Sequence, residues 1–164
     1  METNETSIIL AGGCFWGVEE LFRKEKGVLK TEVGYTGGHT DNPTYETVKT
    51  GTTGHAESIK VDIDLQQTTY ENLFHFFFSI HDPTTVNQQG NDKGSQYRSA
   101  IFYQNDEEKR AAEKVIAEVK EKNFWKNPVV TEVIAFNKFF SAEDYHQDYL
   151  QKNPGGYTCH FKRY

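Results

Sequence analysis

The sequence is poor in the residues that hold small secreted or membrane-bound proteins together. It has two cysteines and four prolines in 164 residues, and two cysteines are too few for a disulfide framework. No run approaches the ~20 apolar residues of a membrane span, and the first residues lack the pattern of a signal peptide. The net charge of −6 argues against a nucleic-acid partner. We therefore expect a cytoplasmic protein whose cysteines have a catalytic, redox or metal-binding role.

Aromatic residues are abundant instead, with 12 Phe, nine Tyr and two Trp. A chain of this length is one domain by the usual size prior, and such a domain buries about 70% of its unfolded surface. We predict a single catalytic domain over residues 1–164 with an aromatic core. Residues 1–6 are predicted to be a flexible start.

Apolar spacing predicts strands that alternate with helices. β-Branched and aromatic residues cluster in five predicted strands, at residues 7–11, 28–36, 57–63, 97–103 and 129–136. Helical spacing predicts four helices, at residues 15–24, 70–80, 106–122 and 142–151. Their predicted N-cap residues are Thr68, Asn105 and Ser141 for the last three helices. The fold class that fits is α+β, a two-layer sandwich with a mixed β-sheet flanked by helices and long functional loops.

Cys14 lies where a predicted strand stops and a predicted helix starts, directly after two glycines. Unpaired backbone N–H groups and the helix dipole favour a thiolate at such a position, and the thiolate is the form a nucleophilic cysteine needs. The alternative is a buried structural cysteine, which is equally common on position alone.

Glu57 is predicted to share the apolar face of a strand with Ile59, Val61 and Ile63. Desolvation at such a position raises the pKa of a carboxyl group and keeps it protonated. A neutral carboxylic acid beside a thiolate is a good general acid. The alternative is that Glu57 forms an ion pair with a buried cation such as Arg98.

Three long segments are rich in Gly, Asn, Asp, Thr and Pro: residues 37–50, 81–96 and 152–164. Loops of this length in a compact domain are usually functional. Tyr45 and Tyr97 carry hydroxyls that can line a pocket and hold a polar oxygen, although most tyrosines are simply packed. Asp92 is a turn residue by its local sequence. Cys159 lies in the last segment, predicted to be a mobile tail that can approach a distant sulfur.

A zinc site built from both cysteines and two histidines is a weaker alternative. Its ligands would be Cys14, Cys159, His55 and His160, but no Cys-x-x-Cys or His-x-x-x-His spacing supports such a site. We expect neither a metal nor a cofactor.

Five ordered blocks of the sequence resemble the peptide methionine sulfoxide reductase A family, from Ile8 to His160. The blocks are Gly-Cys-Phe-Trp-Gly at 13–17, Pro-Thr-Tyr-Glu at 43–46, Gly-His-Ala-Glu at 54–57, Gly-Asn-Asp-Lys-Gly-Ser-Gln-Tyr-Arg-Ser at 90–99 and Asn-Pro-Gly-Gly-Tyr at 153–157. The resemblance implies a thioredoxin-dependent oxidoreductase that reduces methionine S-sulfoxide, free or in proteins. It also implies a role in the repair of proteins after oxidative stress.

The resemblance implies a role for each catalytic residue. Cys14 would attack the sulfoxide sulfur and be left as a sulfenic acid, the first product of thiol oxidation. Glu57 would donate a proton to the sulfoxide oxygen, because a protonated oxygen makes the sulfur a better electrophile. Tyr45 and Tyr97 would hydrogen-bond that oxygen.

The resemblance also implies how substrate and second cysteine take part. Phe15 and Trp16 would form the apolar pocket for the ε-methyl group, with Asp92 in a supporting role nearby. Cys159 would condense with the sulfenic acid to form a disulfide, which thioredoxin would reduce by exchange. Several relatives carry two tail cysteines, whereas Cys159 is the only one here, so a single disulfide without a second relay is implied.

Two other functions compete with this one. A thiol peroxidase also needs a reactive and a resolving cysteine, but neither an apolar methyl pocket nor a buried acid. A methionine-binding or redox-sensing module would keep the pocket without turnover. We expect a monomer with no nucleic-acid or membrane partner.

Overall fold

The computed structural model describes residues 5–164. In chain order the elements are β1 (Glu5–Gly12), α1 (Phe15–Phe22), β2 (Val28–Thr36), α2 (Tyr45–Val48), β3 (Ala56–Asp64), α3 (Tyr70–Ile80), β4 (Gln88–Gln89), β5 (Asp92–Lys93), β6 (Ser99–Tyr103), α4 (Asp106–Lys122), β7 (Glu132–Ala135), β8 (Phe139–Ser141) and α5 (Tyr149–Lys152). Short 3₁₀ turns occupy Ser95–Tyr97 and Asp144–His146.

Six strands form one mixed sheet in the order β7-β6-β1-β3-β2-β8. β6 and β7 run parallel, and every other neighbouring pair in this sheet is antiparallel. β4 and β5 form a separate two-residue hairpin. The predicted α+β class with a mixed sheet is confirmed.

Two apolar layers cover the faces of this sheet. The larger combines the helical stripes of α1, α3 and α4 with alternate strand residues, among them Leu10, Ile59 and Ile101. The smaller one contains Ile9 and Phe102 on the opposite face. Strand side chains alternate between the two faces, and Glu57 has the same parity along β3 as Ile59, so its carboxyl group belongs to the helix-covered side.

Two helices begin at or next to their predicted N-cap residues. Asn105 caps α4 as predicted, because its side chain accepts the N–H of Glu108 at 2.9 Å. α3 is capped by Thr69 rather than by Thr68, since the Thr69 hydroxyl accepts the N–H of Asn72 at 3.0 Å. The predicted N-cap is therefore one residue too early, and both threonines precede the same apolar run.

The predicted helix over 142–151 is wrong. Its predicted cap, Ser141, lies in β8, and only α5 and a 3₁₀ turn form between residues 144 and 152. Gln147 accepts the N–H of Val33 and donates to its carbonyl, both at 2.9 Å. This side-chain amide therefore pairs with β2 as a neighbouring strand would. Asp148 has a left-handed φ of 55°, which interrupts helical geometry.

The start of the chain also departs from expectation. Residues 5 and 6 belong to β1 and pair with Asp64 and Ile63, so they are not part of a flexible start. Residues 1–4 lie outside the described residues. Over 5–164, no helix has both the length and the apolar character required to cross a membrane.

Candidate active site

Cys14 is the N-cap residue of α1 and connects the end of β1 to the helix. The turn is possible because Gly13 has a φ of +100°, and a Cβ there would come within 2.6 Å of the Gln89 side chain. A Cβ at Gly12 would come within 2.8 Å of Phe77. The two glycines thus let the backbone approach its neighbours closely, and Cys14 is left 7% exposed.

Glu57 lies beside the first turn of this helix. Its Oε1 accepts the N–H of Phe15 at 3.2 Å, and the residue is 2% exposed. Burial raises the pKa of the Glu57 carboxyl to about 8, and the hydrogen bond from Phe15 only partly opposes this. Glu57 is therefore protonated at neutral pH, as its position in the strand pattern predicted.

The alternative ion pair for Glu57 is not formed. Arg98 instead places its Nε 3.4 Å from Glu132 Oε1 and donates from Nη1 to the Ser95 carbonyl at 2.9 Å. Because no cation neutralises Glu57 among residues 5–164, the carboxyl group remains available as a proton donor.

The pKa of Cys14 differs from expectation. Burial raises the pKa of the thiol well above its usual value, and the Glu57 charge adds to this effect. The N–H of Trp16 lowers the pKa, as a helix N-terminus should, but its contribution is smaller. Cys14 is therefore a thiol at neutral pH.

Tyr45, Tyr97 and Asp92 lie around the Cys14–Glu57 pair. The pKa of Tyr45 rises to about 12 and that of Tyr97 rises further, through burial first and then through the charges of Glu57 and Cys14 among others. Asp92 is half-buried, and its charge raises the pKa of both Cys14 and Glu57. Both phenols therefore remain protonated and can donate hydrogen bonds.

An aromatic wall follows the nucleophile. Phe15 is buried, whereas Trp16 is partly exposed and stacks on Tyr149 with ring centroids 3.7 Å apart and planes at 8°. The Trp16 indole N–H donates to His146 Nδ1 at 3.0 Å. The His146 ring lies 5.2 Å from the Phe15 ring and 4.6 Å from the Tyr45 ring. His146 therefore packs with three side chains of the site.

Glu143 binds two tyrosines next to this aromatic wall. One carboxylate oxygen accepts the Tyr35 hydroxyl at 2.8 Å, and the other accepts the N–H of Tyr45 at 2.9 Å. These hydrogen bonds keep the pKa of Glu143 below its usual range despite partial burial. The start of α2, and with it Tyr45, is fixed by this carboxylate.

An ionic cluster around the buried Glu19 joins α1 to the segment that carries His146 and Tyr149. Glu19 accepts the N–H of Asp148 at 2.8 Å and the Thr31 hydroxyl at 2.9 Å. Arg23 Nη1 lies 2.9 Å from Asp148 Oδ1. These contacts therefore join α1, which follows Cys14, to the segment that carries the aromatic wall.

Cys159 is half-buried, whereas Cys14 is buried, and neither thiol is in a disulfide. Its sulfur packs on the hairpin between β4 and β5, because a Cβ at Gly90 would lie 3.4 Å from Cys159 Sγ. Tyr157, two residues earlier, donates its hydroxyl to Asp92 Oδ2 at 3.2 Å. The predicted mobile tail is thus attached to the same loop that carries Asp92.

The histidines of the alternative zinc site are engaged elsewhere. His55 accepts the N–H of Gly38 at 3.1 Å and contacts the Thr40 carbonyl at 2.8 Å. His160 lies 2.7 Å from the Gly12 carbonyl oxygen. No group of three metal-ligating side chains occurs in the part of the chain from residue 5 onward.

Comparison with known proteins agrees with this geometry. A family-wide profile described as "Peptide methionine sulfoxide reductase" matches residues 6–164. The chain belongs to this family. A relative named "Peptide methionine sulfoxide reductase MsrA" from Mycobacterium sp. (strain MCS) is 57% identical over 155 residues, which cover 94% of this chain and 88% of the relative. The chain is accordingly an oxidoreductase.

Solved structures place this reductase-family chain in the same fold. Mxr1 from Saccharomyces cerevisiae in reduced form has a TM-score of 0.92 and 40% identity, with coverage of 98% of this chain and 93% of that chain. Mxr1 in complex with Trx2 has a TM-score of 0.67 and 25% identity, with coverage of 100% and 96%. Both cysteines are free in the present structure, and the higher TM-score is to the reduced form.

Sequence reasoning about this reductase-family member missed His146, Tyr149 and Glu143. The three lie in a segment predicted as a plain helix, and their partners are more than 90 residues away in the chain. The one available signal was the concentration of charged and aromatic residues from Glu143 to Tyr149. Nothing in that segment indicated which side chains face Cys14.

Proposed function

We propose that this protein reduces methionine S-sulfoxide, free or in proteins, to methionine in a cycle that uses Cys14, Glu57 and Cys159. The observation that carries the proposal is the pairing of a cysteine at a helix start with a buried carboxylic acid that is protonated at neutral pH. Sulfoxide reduction needs a nucleophile for the sulfur and a proton for the oxygen, and these two groups supply them.

The first step transfers oxygen from the substrate to Cys14. Glu57 protonates the sulfoxide oxygen while the Cys14 sulfur attacks the substrate sulfur. The thiol proton of Cys14 passes to Glu57 and replaces the proton that Glu57 donated. The bond between the two sulfurs and the substrate S–O bond then break as the OH group moves to Cys14, which becomes a sulfenic acid, and methionine leaves as a thioether.

The side chains around the pair fit this step. Tyr45 and Tyr97 are protonated phenols that can donate to the sulfoxide oxygen as charge develops on it. Trp16, which is partly exposed, offers an apolar surface for the substrate methyl group, and the preceding Phe15 is buried. A site that distinguishes methyl, oxygen and chain on sulfur is stereoselective, and the family relationship favours the S epimer.

The second step resolves the sulfenic acid. Cys159 attacks the Cys14 sulfur, the S–S bond forms, and the S–O bond breaks with release of water. Trx2 binds the yeast relative in a solved complex, which supports a thioredoxin as the dithiol that reduces the disulfide here. All residues of the cycle belong to one chain, so a monomer suffices, and a reducing compartment such as the cytoplasm suits it.

The test is a single turnover without reductant. Reduced protein is mixed with each epimer of a blocked methionine sulfoxide, and the released methionine derivative and the disulfides are quantified by mass spectrometry. We expect about one equivalent from the S epimer only, with a Cys14–Cys159 bridge. Product from neither epimer would contradict the proposal, and hydrogen peroxide would then be tested as the oxidant.

Two variants assign the cysteines. Cys14→Ser should abolish product formation, because no nucleophile remains. Cys159→Ser should still release about one equivalent and then stall with thioredoxin. Repeated turnover of Cys159→Ser with thioredoxin would disprove the resolving role of Cys159.

A further inference from the structure

His160 joins the chain end to the loop that carries the nucleophile. Its side chain is 7% exposed, and its Nε2 lies 2.7 Å from the carbonyl oxygen of Gly12. Gly12 is the last residue of β1, two positions before Cys14. The two bonded residues are 148 positions apart, so this contact is a long-range tether.

The Gly12 carbonyl determines the tautomer of the imidazole ring. A carbonyl oxygen can only accept a hydrogen bond, so Nε2 must carry the proton and Nδ1 must present a lone pair. Burial lowers the pKa of His160 to about 4, so the ring is neutral at physiological pH. The Nδ1 lone pair lies 3.9 Å from Cys159 Sγ and can accept the thiol proton as a weak hydrogen bond.

The glycines around Cys14 provide room for this ring. A Cβ at Gly17 would overlap both His160 Nδ1 and Thr158 Oγ1, and a Cβ at Gly13 would lie 3.2 Å from His160 Nε2. The N–H of His160 donates to Thr158 Oγ1 at 3.1 Å. Thr158 and His160 therefore both contact the bare backbone of α1 at Gly17, and the residue between them is Cys159.

We propose that His160 is the positioning residue of the resolving step, because it holds Cys159 against the Cys14 loop through its hydrogen bond to Gly12. This inference rests on the proposed role of Cys159 and adds the group that places it. Tyr157, bound to Asp92, fixes the chain on the other side of Cys159. The sulfur therefore lies on a short span with both ends attached.

The resolving step itself needs no further reagent. The Cys159 sulfur supplies the electron pair of the S–S bond, and the Cys14 sulfenic oxygen leaves as water with the thiol proton. The hydrogen-bond partners of His160 are Gly12, Thr158 and Cys159, and none of them is among the residues proposed to hold the substrate. Loss of His160 should therefore slow disulfide formation and spare methionine release.

The experiment compares the two steps in a rapid-quench single turnover with a blocked methionine S-sulfoxide. His160→Ala should release methionine at close to the normal rate, and disulfide formation should slow roughly 10- to 100-fold, the effect of a misplaced reacting group. The Cys14 sulfenic acid should accumulate and be trapped by dimedone. His160→Gln keeps a donor near the Nε2 position and should restore most of the rate.

Gly17→Ala provides an independent variant. Alanine is favoured over glycine inside a helix by about 1 kcal/mol, so α1 should remain intact while the new methyl group displaces His160 and Thr158. The same separation of the two steps is expected, which keeps the test informative even if His160→Ala folds poorly.

Three outcomes would overturn the proposal. Disulfide formation at the normal rate in His160→Ala would show that the tether is dispensable. Equal slowing of both steps in the alanine and glutamine variants would assign His160 a general structural role. Normal kinetics in Gly17→Ala would refute the packing argument. Failure of the resolving role of Cys159 is recognised separately, by thioredoxin-dependent turnover of Cys159→Ser.

Discussion

Replacement of Glu57 by glutamine should weaken catalysis and at the same time stabilise the fold above neutral pH. The pKa of the carboxyl rises from 4.5 to about 8 on burial. Between these values the folded state holds a proton that the unfolded chain has released. Raising the pH through this window therefore favours unfolding.

The size of this change in stability follows from the interval between the two pKa values. Each pH unit corresponds to about 1.4 kcal/mol, so a shift from 4.5 to about 8 removes up to about 5 kcal/mol of unfolding free energy by pH 8. Glutamine is close in shape and does not titrate. The unfolding free energy of Glu57→Gln minus that of the unmodified protein should therefore rise by this amount from pH 4.5 to pH 8.

Urea denaturation of the reduced proteins at a series of pH values measures this difference. In parallel, single-turnover methionine release should fall about 10²- to 10⁴-fold in the variant, the usual contribution of a general acid. In the unmodified protein, release should decline as the pH rises through about 8, where Glu57 loses its proton. A stability difference that stays flat or falls with pH would refute the assignment of Glu57 as a buried neutral acid.

Glu108→Gln is the matched control. Glu108 is 1% exposed, and burial raises its pKa to about 7, but it lies in the first turn of α4 rather than at the site. The unfolding free energy of Glu108→Gln, relative to the unmodified protein, should also rise with pH, but over a narrower pH range. Its methionine release should be unchanged. If methionine release fell equally in both variants, the effect of Glu57→Gln would not come from the loss of a proton donor.

Three further predictions concern the surroundings of the pair. Tyr45→Phe and Tyr97→Phe should each lower the rate of single-turnover methionine release. In the double variant this rate should fall about 10²- to 10³-fold, which is the cost of losing a transition-state donor. A double variant with a normal rate would exclude both phenols as donors. His146→Ala leaves the Trp16 indole N–H without its acceptor and should raise KM more than it lowers kcat, with about 1–3 kcal/mol lost in urea unfolding. Glu19→Leu removes the acceptor of two partly buried donors and should cost about 1–3 kcal/mol by the same assay. No measurable loss would contradict the role of Glu19 in joining α1 to Asp148.

The parts of the fold that could be predicted from the sequence are those governed by local pattern. The stripe of α4 and the cap at Asn105 are encoded within 17 residues, and the alternation in β3 placed Glu57 on the apolar face. Cys14 at the start of α1 follows from two glycines that separate a strand from a helix. The proposed catalytic pair could therefore be predicted from the sequence, because each member lies within or next to its own regular element.

The remaining features depend on contacts between distant segments. Ser141 has the spacing of a helix cap, yet it lies in β8, where its backbone pairs with Gly34 of β2 and its hydroxyl donates to Glu32. The pKa of Cys14 was misjudged because helix position is local, whereas burial is a property of the whole fold. The role of His160 also needed the structure, since no local pattern connects a chain end to Gly12.

The hydrogen bond between Gly12 and His160 has a consequence for biosynthesis. A ribosome extends chains at roughly 5–20 residues per second, so the 148 positions between the partners correspond to roughly 7–30 s of translation. During that interval the nascent chain already contains its nucleophile but neither the tether nor Cys159. A sulfenic acid formed on such a chain would have no internal partner, so the order of synthesis leaves Cys14 exposed to overoxidation until the last segment has been made.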